Sequence, residues 1–269
     1  MSSANSNPES AEYTEHGEAR HSVPSSSGVF LSLEGVDGVG KSTQCTLLCD
    51  ALALAGRTVM RLREPGGTKL GEGIRALLLD RDALDDGVTM SPACEVLLYE
   101  AARAQLVAQV IGPALQRGDV VVCDRFCDST VAYQGHARGL GIDSVASLNA
   151  LACSGILPDR TIVLDMDPHE ALARTAARDQ APDRLESEGV EFQVKVREGF
   201  RACALSDPAR VRIVDASGEV GAVYSRIRDE LADVVCLPTY AEIASSRKHA
   251  ESGVSNSSVP TGTSAAVRG

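Results

Sequence analysis

Five short apolar runs punctuate the middle of the chain, at residues 29–33, 58–62, 120–123, 160–166 and 210–214. They are rich in Val, Ile and Leu and alternate little, as strands do when both faces of a sheet are covered. Between them the apolar spacing lengthens to a helical period. Residues 42–55 offer Leu47, Leu48, Ala51, Leu52 and Leu54 for packing. Ser91-Pro92 marks another helix start, a capping hydroxyl before a first-turn proline, and this helix is expected to run to about Gln116. Asp167-Pro168-His169-Glu170 resembles a capping box. Strands alternating with helices predict a parallel five-stranded sheet in a three-layer α/β/α sandwich. No internal repeat is visible. Towards both ends the pattern fades. Residues 1–27 are rich in Ser, Glu, Asn and Pro, and residues 245–269 are mostly small. Such segments do not bury enough surface to offset their ordering entropy. One domain is therefore expected at 28–236, between disordered tails at 1–27 and 237–269.

Composition narrows the function classes. The chain has 269 residues, 43% of them hydrophobic, which suits a single large domain. The formal net charge of −11 disfavours sequence-independent nucleic-acid binding, which depends on Lys and Arg. No apolar run is long enough to span a membrane, and the N-terminus lacks the apolar core of a signal peptide, so a cytoplasmic address is expected. The eight cysteines are scattered and contain no C-x-x-C pair. They read as thiols packed as small apolar groups, with no disulfide framework or zinc site.

The strongest chemical signal is Gly35-Val36-Asp37-Gly38-Val39-Gly40-Lys41-Ser42, a complete G-x-x-x-x-G-K-[ST] phosphate-binding loop between a predicted strand and a predicted helix. The glycines let the backbone curl with its N–H groups inward, where they and the positive helix end hold a polyphosphate. Lys41 would reach the β- and γ-phosphates and the Ser42 hydroxyl would bind Mg²⁺. These features make the fold a P-loop NTPase.

Other candidates gather at strand ends. The second strand runs into Arg63-Glu64-Pro65-Gly66-Gly67-Thr68, a loop where α/β sheets place ligands, although Pro and Gly alone only signal a turn. Arg75 follows on the next helix and by itself is a surface charge. Tyr99 and Arg103 share a helix face, so they suit either base stacking and hydrogen bonding or an arginine stem covering a half-buried ring. The third strand ends in Asp124-Arg125-Phe126. An acid there can hold Mg²⁺ beside the phosphate loop or simply cap a helix. Thr130, Tyr133 and Gln134 follow with a hydroxyl, a phenol and an amide.

Taken together, Glu34 to Ser42, Arg63-Glu64-Pro65-Gly66-Gly67, Ala101-Ala102-Arg103, Asp124-Arg125-Phe126 and Ala132-Tyr133-Gln134-Gly135 resemble the thymidylate kinase family in order and spacing. The resemblance spans 28–235. It implies transfer of the γ-phosphoryl of ATP to dTMP, with Mg²⁺ as cofactor and a homodimer as the assembly. It implies that ATP is held by Gly35, Val36, Asp37, Gly38, Val39, Gly40, Lys41, Ser42 and Thr43, and the metal by Ser42 and Asp124. The dTMP phosphate would be held by Arg125 and Arg75, with Arg63, Glu64 and Pro65 lining the same pocket. Tyr99 stands where the family has a stacking Phe. Arg103 would reach O4 of the base, Gln134 its N3 edge, Thr130 the base, and Tyr133 the sugar. Leaving such groups unpaired would reject cytosine by roughly 10⁴-fold.

Some members of that family carry an arginine inside the phosphate loop. Others have an acid there and supply arginines from a lid. Asp37 makes this chain resemble the second type, with a lid at 174–188 containing Arg174, Arg178 and Arg184. Arg178 is the expected arginine finger, assisted by Arg174 or Arg184, while Asp37 would help place the acceptor phosphate. Adenine is expected near the lid base and the turn Asp215-Ala216-Ser217-Gly218. Three rival readings remain: a kinase of the same fold acting on another small acceptor, such as a different nucleoside monophosphate or a deoxynucleoside; a nucleotide-dependent switch or hydrolase; and a structural paralogue without activity, against which the intact Lys41, Ser42, Asp124 and Arg125 argue. A kinase of the same fold acting on a hydroxyl would use Glu64 as base. A nucleotide hydrolase would need no acceptor, and its GTP-specific form would need an N-K-x-D sequence that is absent.

Overall fold

A computed structural model describes residues 28–80, 89–176 and 184–254. The expected tail at 1–27 and the expected finger Arg178 lie outside those residues. In chain order the elements are β1 (Val29–Glu34), α1 (Lys41–Leu54), β2 (Val59–Arg63), α2 (Lys69–Leu79), α3 (Pro92–Leu106), α4 (Gly112–Gln116), β3 (Val120–Asp124), α5 (Cys127–Thr130), α6 (Ile142–Cys153), β4 (Arg160–Asp165), α7 (Pro168–Ala176), α8 (Val190–Ser206), β5 (Val211–Asp215), α9 (Val220–Glu230) and α10 (Tyr240–Val254). Wider π turns join α3 to α4 at Val107–Ile111 and continue α5 over Val131–Ala137.

The strands form one parallel sheet in the order β2-β3-β1-β4-β5. β1 sits at the centre, and its residues explain the non-alternating pattern. Leu31 and Leu33 face one layer with Leu48, Leu52 and Val196, while Phe30 faces the other with Leu106, Ile111 and Phe126. Each such side chain, when fully buried, stabilises the fold by about 1.5–3 kcal/mol. Ser32 is the polar exception, and it is satisfied by the Thr161 hydroxyl at 3.0 Å. Every strand ends in a charged residue at one sheet edge: Glu34, Arg63, Asp124, Asp165 and Asp215. The chain leaves β1 for β2 and β3 on one side, and only later reaches β4 and β5 on the other. The crevice where ligands bind in such sheets therefore opens above β1.

The helix starts follow the expected capping chemistry. Ser91 Oγ accepts from Cys94 N at 3.3 Å ahead of Pro92, and Asp167 Oδ1 accepts from His169 N at 2.8 Å ahead of α7. The reading of 237–269 as tail is corrected by α10. Ile243 of α10 is buried against Leu47, Ala51 and Tyr224. The Tyr240 ring lies against Gly221, where an added Cβ would stand 2.6 Å from it. Tyr224 donates to the Pro238 carbonyl at 2.9 Å, and Arg247 pairs with Asp50 of α1. Composition alone marked this stretch as unable to bury surface, but α1 and α9 supply an apolar face for it. Among the described residues no helix is long and apolar enough to cross a membrane.

Candidate active site

The loop between β1 and α1 is shaped by close approach. A Cβ on Gly38 would stand 2.0 Å from the Ala171 carbonyl oxygen, and one on Gly35 would stand 2.5 Å from that of Leu164. Both residues have positive φ, 88° and 133°, which side chains rarely adopt. Lys41 folds back to donate to the carbonyls of Val36 at 2.8 Å and Gly35 at 3.1 Å. Burial and the like charge of Arg125 push its ammonium down to about 8 despite Asp37, Asp124 and Glu34 nearby. Ser42 Oγ donates to Asp124 Oδ2 at 2.7 Å, which brings the loop hydroxyl beside the acid ending β3.

Arg125 is the centre of the site. Its φ is 74°, a left-handed conformation that costs a non-glycine residue about 1–2 kcal/mol. Glu34, at the end of β1, offsets this by accepting from Phe126 N at 2.6 Å and from Ser129 Oγ at 2.5 Å. Burial, helped by Asp128, pushes the Glu34 carboxyl up to about 8. The Arg125 guanidinium donates to Gly35 O at 3.0 Å, Ser129 Oγ at 3.2 Å, Asp37 Oδ1 at 2.5 Å and the Tyr133 hydroxyl at 3.1 Å. Burial would raise the Asp37 carboxyl, but Arg125 and Lys41 outweigh it and hold it below the usual carboxylate range. Asp37 also accepts from Tyr133 at 3.2 Å and from Gln193 Nε2 of α8 at 3.3 Å. The loop acid is thus a clamp on the arginine beside it.

One cavity runs from this cluster towards α3. Asp37, Gly38, Gly40, Lys41, Ser42, Thr43 and Asp124 line its loop end. Arg63, Glu64, Pro65, Arg75, Arg125 and Tyr133 line its middle, and Tyr99, Thr130 and Gln134 its far end. Arg75 and Arg63 converge on the Pro65 carbonyl, at 3.0 and 3.1 Å, and Arg63 also pairs with Glu72 at 2.9 Å. Val36 and Val39 of the loop are buried behind it.

Two sequence expectations are corrected. Arg103 does not line the cavity. It is 1% exposed, one layer behind the wall. Glu64 accepts from its Nε at 3.0 Å and its Nη2 at 2.7 Å, while its Nη1 donates to Asn149 at 2.7 Å, Glu100 at 3.0 Å and Thr130 at 3.1 Å. An arginine so engaged holds Glu64 and Thr130 in place. Arg184 is turned away from the phosphate loop. It donates to Leu78 O at 2.7 Å and to Glu95 at 2.6 Å. The reason is the same in both cases: a buried carboxylate, Glu64 or Glu95, requires a cation, and the arginine is the nearest.

Sequence reasoning passed over Glu34, Glu95, Glu100, Ser129, Asn149 and Gln193. Glu95 carried a signal, since it lies one turn before Tyr99 on the same face of α3. Gln193 and Asn149 carried none, because their partners lie far away in the chain.

Residues 33–227 match the family model described as thymidylate kinase. The chain is 49% identical over 203 residues to a thymidylate kinase of Solidesulfovibrio magneticus, covering 72% of this chain and 94% of that protein. It is 47% identical over 209 residues to one from Bifidobacterium longum, covering 77% and 99%. A crystal structure of thymidylate kinase from Ehrlichia chaffeensis superposes with a TM-score of 0.60 at 30% identity, over 76% of this chain and 99% of that one.

Proposed function

The chain belongs to the thymidylate kinase family, and on that premise we propose that it transfers the γ-phosphoryl group of ATP to the phosphate of dTMP, giving dTDP and ADP for dTTP synthesis. The observation that carries the reading is a single cavity with a phosphate loop at one end, Arg125 at its middle, and Tyr99, Thr130 and Gln134 at the other. Such a lining offers a donor polyphosphate and an acceptor nucleoside monophosphate adjoining places.

Two anions have to meet, so positioning and charge neutralisation supply most of the catalysis. A dTMP phosphate oxygen attacks the γ-phosphorus in line, and the bond to the β,γ-bridging oxygen breaks. Backbone N–H groups of the loop and Lys41 hold the donor phosphates. Arg125, assisted by Arg75, holds the acceptor phosphate. Asp37 and Tyr133 keep the Arg125 guanidinium aimed into the cavity before substrate arrives. The dTMP phosphate is ionised near neutral pH, so no dedicated base is required. Tyr99 stacks on the base, and Thr130 and Gln134 face its polar edge. Arg178, with Arg174, neutralises the charge on the transferred group, and Arg184 anchors the lid's C-terminal end.

Mg²⁺ fits the oxygen pair of Ser42 and Asp124, a hard donor set that leaves room for phosphate oxygens and water. Ser42 and Asp124 would hold the ion, and its chemistry there would be to neutralise charge on the donor phosphates. A homodimer is supported by exposed leucines on the adjoining helices α2, α3 and α6: Leu70, Leu77, Leu97 and Leu151. The acidic charge and the cytosolic chemistry of nucleotide synthesis support a cytoplasmic protein that does not bind nucleic acid.

The test is an ADP-release assay with ATP and Mg²⁺ against dTMP, dUMP, dCMP and thymidine. Strong turnover with dTMP and little with dCMP or thymidine is expected. Turnover with thymidine instead would move the acceptor to a hydroxyl and give Glu64 the role of base. ADP release without any acceptor would replace the kinase reading with a hydrolase.

A further inference from the structure

On α3, Glu95, Tyr99 and Arg103 are spaced four residues apart and share one face. The segment opposite presents Thr130 and Gln134, also four apart. The two faces are stapled at both ends. Arg103 Nη1 donates to Thr130 Oγ1 at 3.1 Å, and Gln134 Nε2 donates to Glu95 Oε1 at 2.7 Å. Tyr99 stands between these staples and lines the cavity with Thr130 and Gln134.

Glu95 is 1% exposed, yet it is surrounded by donors. Besides Gln134, Arg138 reaches it with Nε and Nη2 at 3.3 Å each, and Arg184 reaches it at 2.6 Å. Burial pushes the carboxyl up, but the Gln134 hydrogen bond and the two guanidinium groups outweigh it and hold the carboxyl below its usual range. Glu95 is therefore ionised at neutral pH and can only accept. A glutamine beside an acceptor-only group has one choice of amide orientation. Its NH₂ goes to Glu95, and Oε1 remains. Among the described residues no hydrogen bond engages Gln134 Oε1, so this oxygen is what Gln134 offers to the cavity.

We infer that Glu95 determines base specificity by locking the Gln134 amide with its oxygen towards the bound base. This rests on reading the cavity as the acceptor-nucleotide site. A 2,4-dioxo pyrimidine carries hydrogen on N3 and satisfies that oxygen. A 4-amino pyrimidine has a bare acceptor at N3 and leaves two lone pairs facing each other in a buried site. The discrimination is made by Glu95 although it touches no substrate. Arg138 and Arg184 contribute by keeping Glu95 ionised. Without that carboxylate the amide turns over and presents NH₂, and the wrong base is no longer penalised. The device ignores the 5-methyl group, since uracil has the same N3–H.

The experiment compares kcat/KM for dTMP, 5-methyl-dCMP and dUMP in the wild type, Glu95→Gln and Gln134→Met. In Glu95→Gln the dTMP to 5-methyl-dCMP ratio should fall at least about tenfold, while the dTMP to dUMP ratio stays within about twofold. Gln134→Met should show the same pattern. If thermal melting shows that Glu95→Gln does not fold, Glu95→Asp replaces it. That variant keeps the charge for both arginines but ends one methylene short of Gln134, and the same fall is expected. A fall in Gln134→Met alone, with a folded Glu95 variant unchanged, overturns the role of Glu95 and leaves the base site standing. No fall in either overturns the placement of the base at Gln134, and the inference with it. A parallel loss of both ratios also overturns it, because that is general loosening of the site.

Discussion

Replacing Arg103 by Met tests whether the arginine is a buried strut or a base reader. Met keeps the bulk of the side chain and removes its charge. Glu64 and Glu100, each 6% exposed, would then lose the one cation among the described residues that both contact. Removing one partner of a buried ion pair costs about 3–5 kcal/mol. In a domain of this size each kcal/mol moves the midpoint by about 2–4 °C, so Tm should drop by about 10 °C. The loss should also depend on pH with a definite sign. Burial already pushes both carboxyls up despite Arg103. Without the guanidinium they rise further and stay protonated in the folded state at a pH where the unfolded chain has released those protons. Above the ordinary glutamate pKa of about 4.3 the folded state then binds more protons than the unfolded one, so stability falls as pH rises through the raised folded values. The Tm gap between wild type and Arg103→Met should therefore widen from pH 5.5 to pH 8, and Arg103→Met/Glu64→Gln should recover part of it. Thermal melts by circular dichroism at the two pH values, beside KM for dTMP, make the assay. A midpoint within about 2 °C of wild type at both pH values, together with a large rise in KM for dTMP, would refute the reasoning. Arg103 would then reach the substrate, and the buried cluster would not depend on it.

Three further outcomes are expected. Lys41 is pushed down to about 8 in the free enzyme, so kcat/KM for ATP should be level below neutrality and fall about tenfold per pH unit beyond that value; a profile level to pH 10 would show that burial does not act on this ammonium. Gly38→Ala puts a Cβ 2.0 Å from a carbonyl oxygen at a φ of 88°, and the conformational cost of about 1–2 kcal/mol is only part of the penalty, so binding of a fluorescent ATP analogue should weaken more than tenfold; unchanged affinity would mean the loop can shift away from α7. Ile243→Ala removes a side chain that is 2% exposed, costing about 2–5 kcal/mol and lowering Tm by about 4 °C or more; a change below about 1 °C would show that α10 adds nothing to the domain.

What the sequence determined by itself is the local part of the protein. Apolar runs without alternation specified strands buried on both faces, and β1 with Leu31 and Leu33 on one side and Phe30 on the other meets that description. Gly35 to Ser42 specified a phosphate loop because its glycines, lysine and hydroxyl act within eight adjacent residues. The spacing of Tyr99 and Arg103 specified that they share a face. What that face meets is a different matter, and only the tertiary structure decided it. Arg103 is sunk behind the cavity wall because Glu64, 39 residues away, and Asn149, 46 residues away, converge on it. Arg184 is held away from the phosphates by Glu95, 89 residues earlier. Asp37 gains a partner in Gln193, 156 residues later, and α10 gains a core only because α1 and α9 leave Leu47, Ala51 and Tyr224 open to it. Periodicity and motif report which atoms a segment can present. The charge state and orientation of a buried side chain depend on groups that neighbour it in space alone, because in a medium that screens poorly an unpaired charge or amide costs more than any local preference can offset.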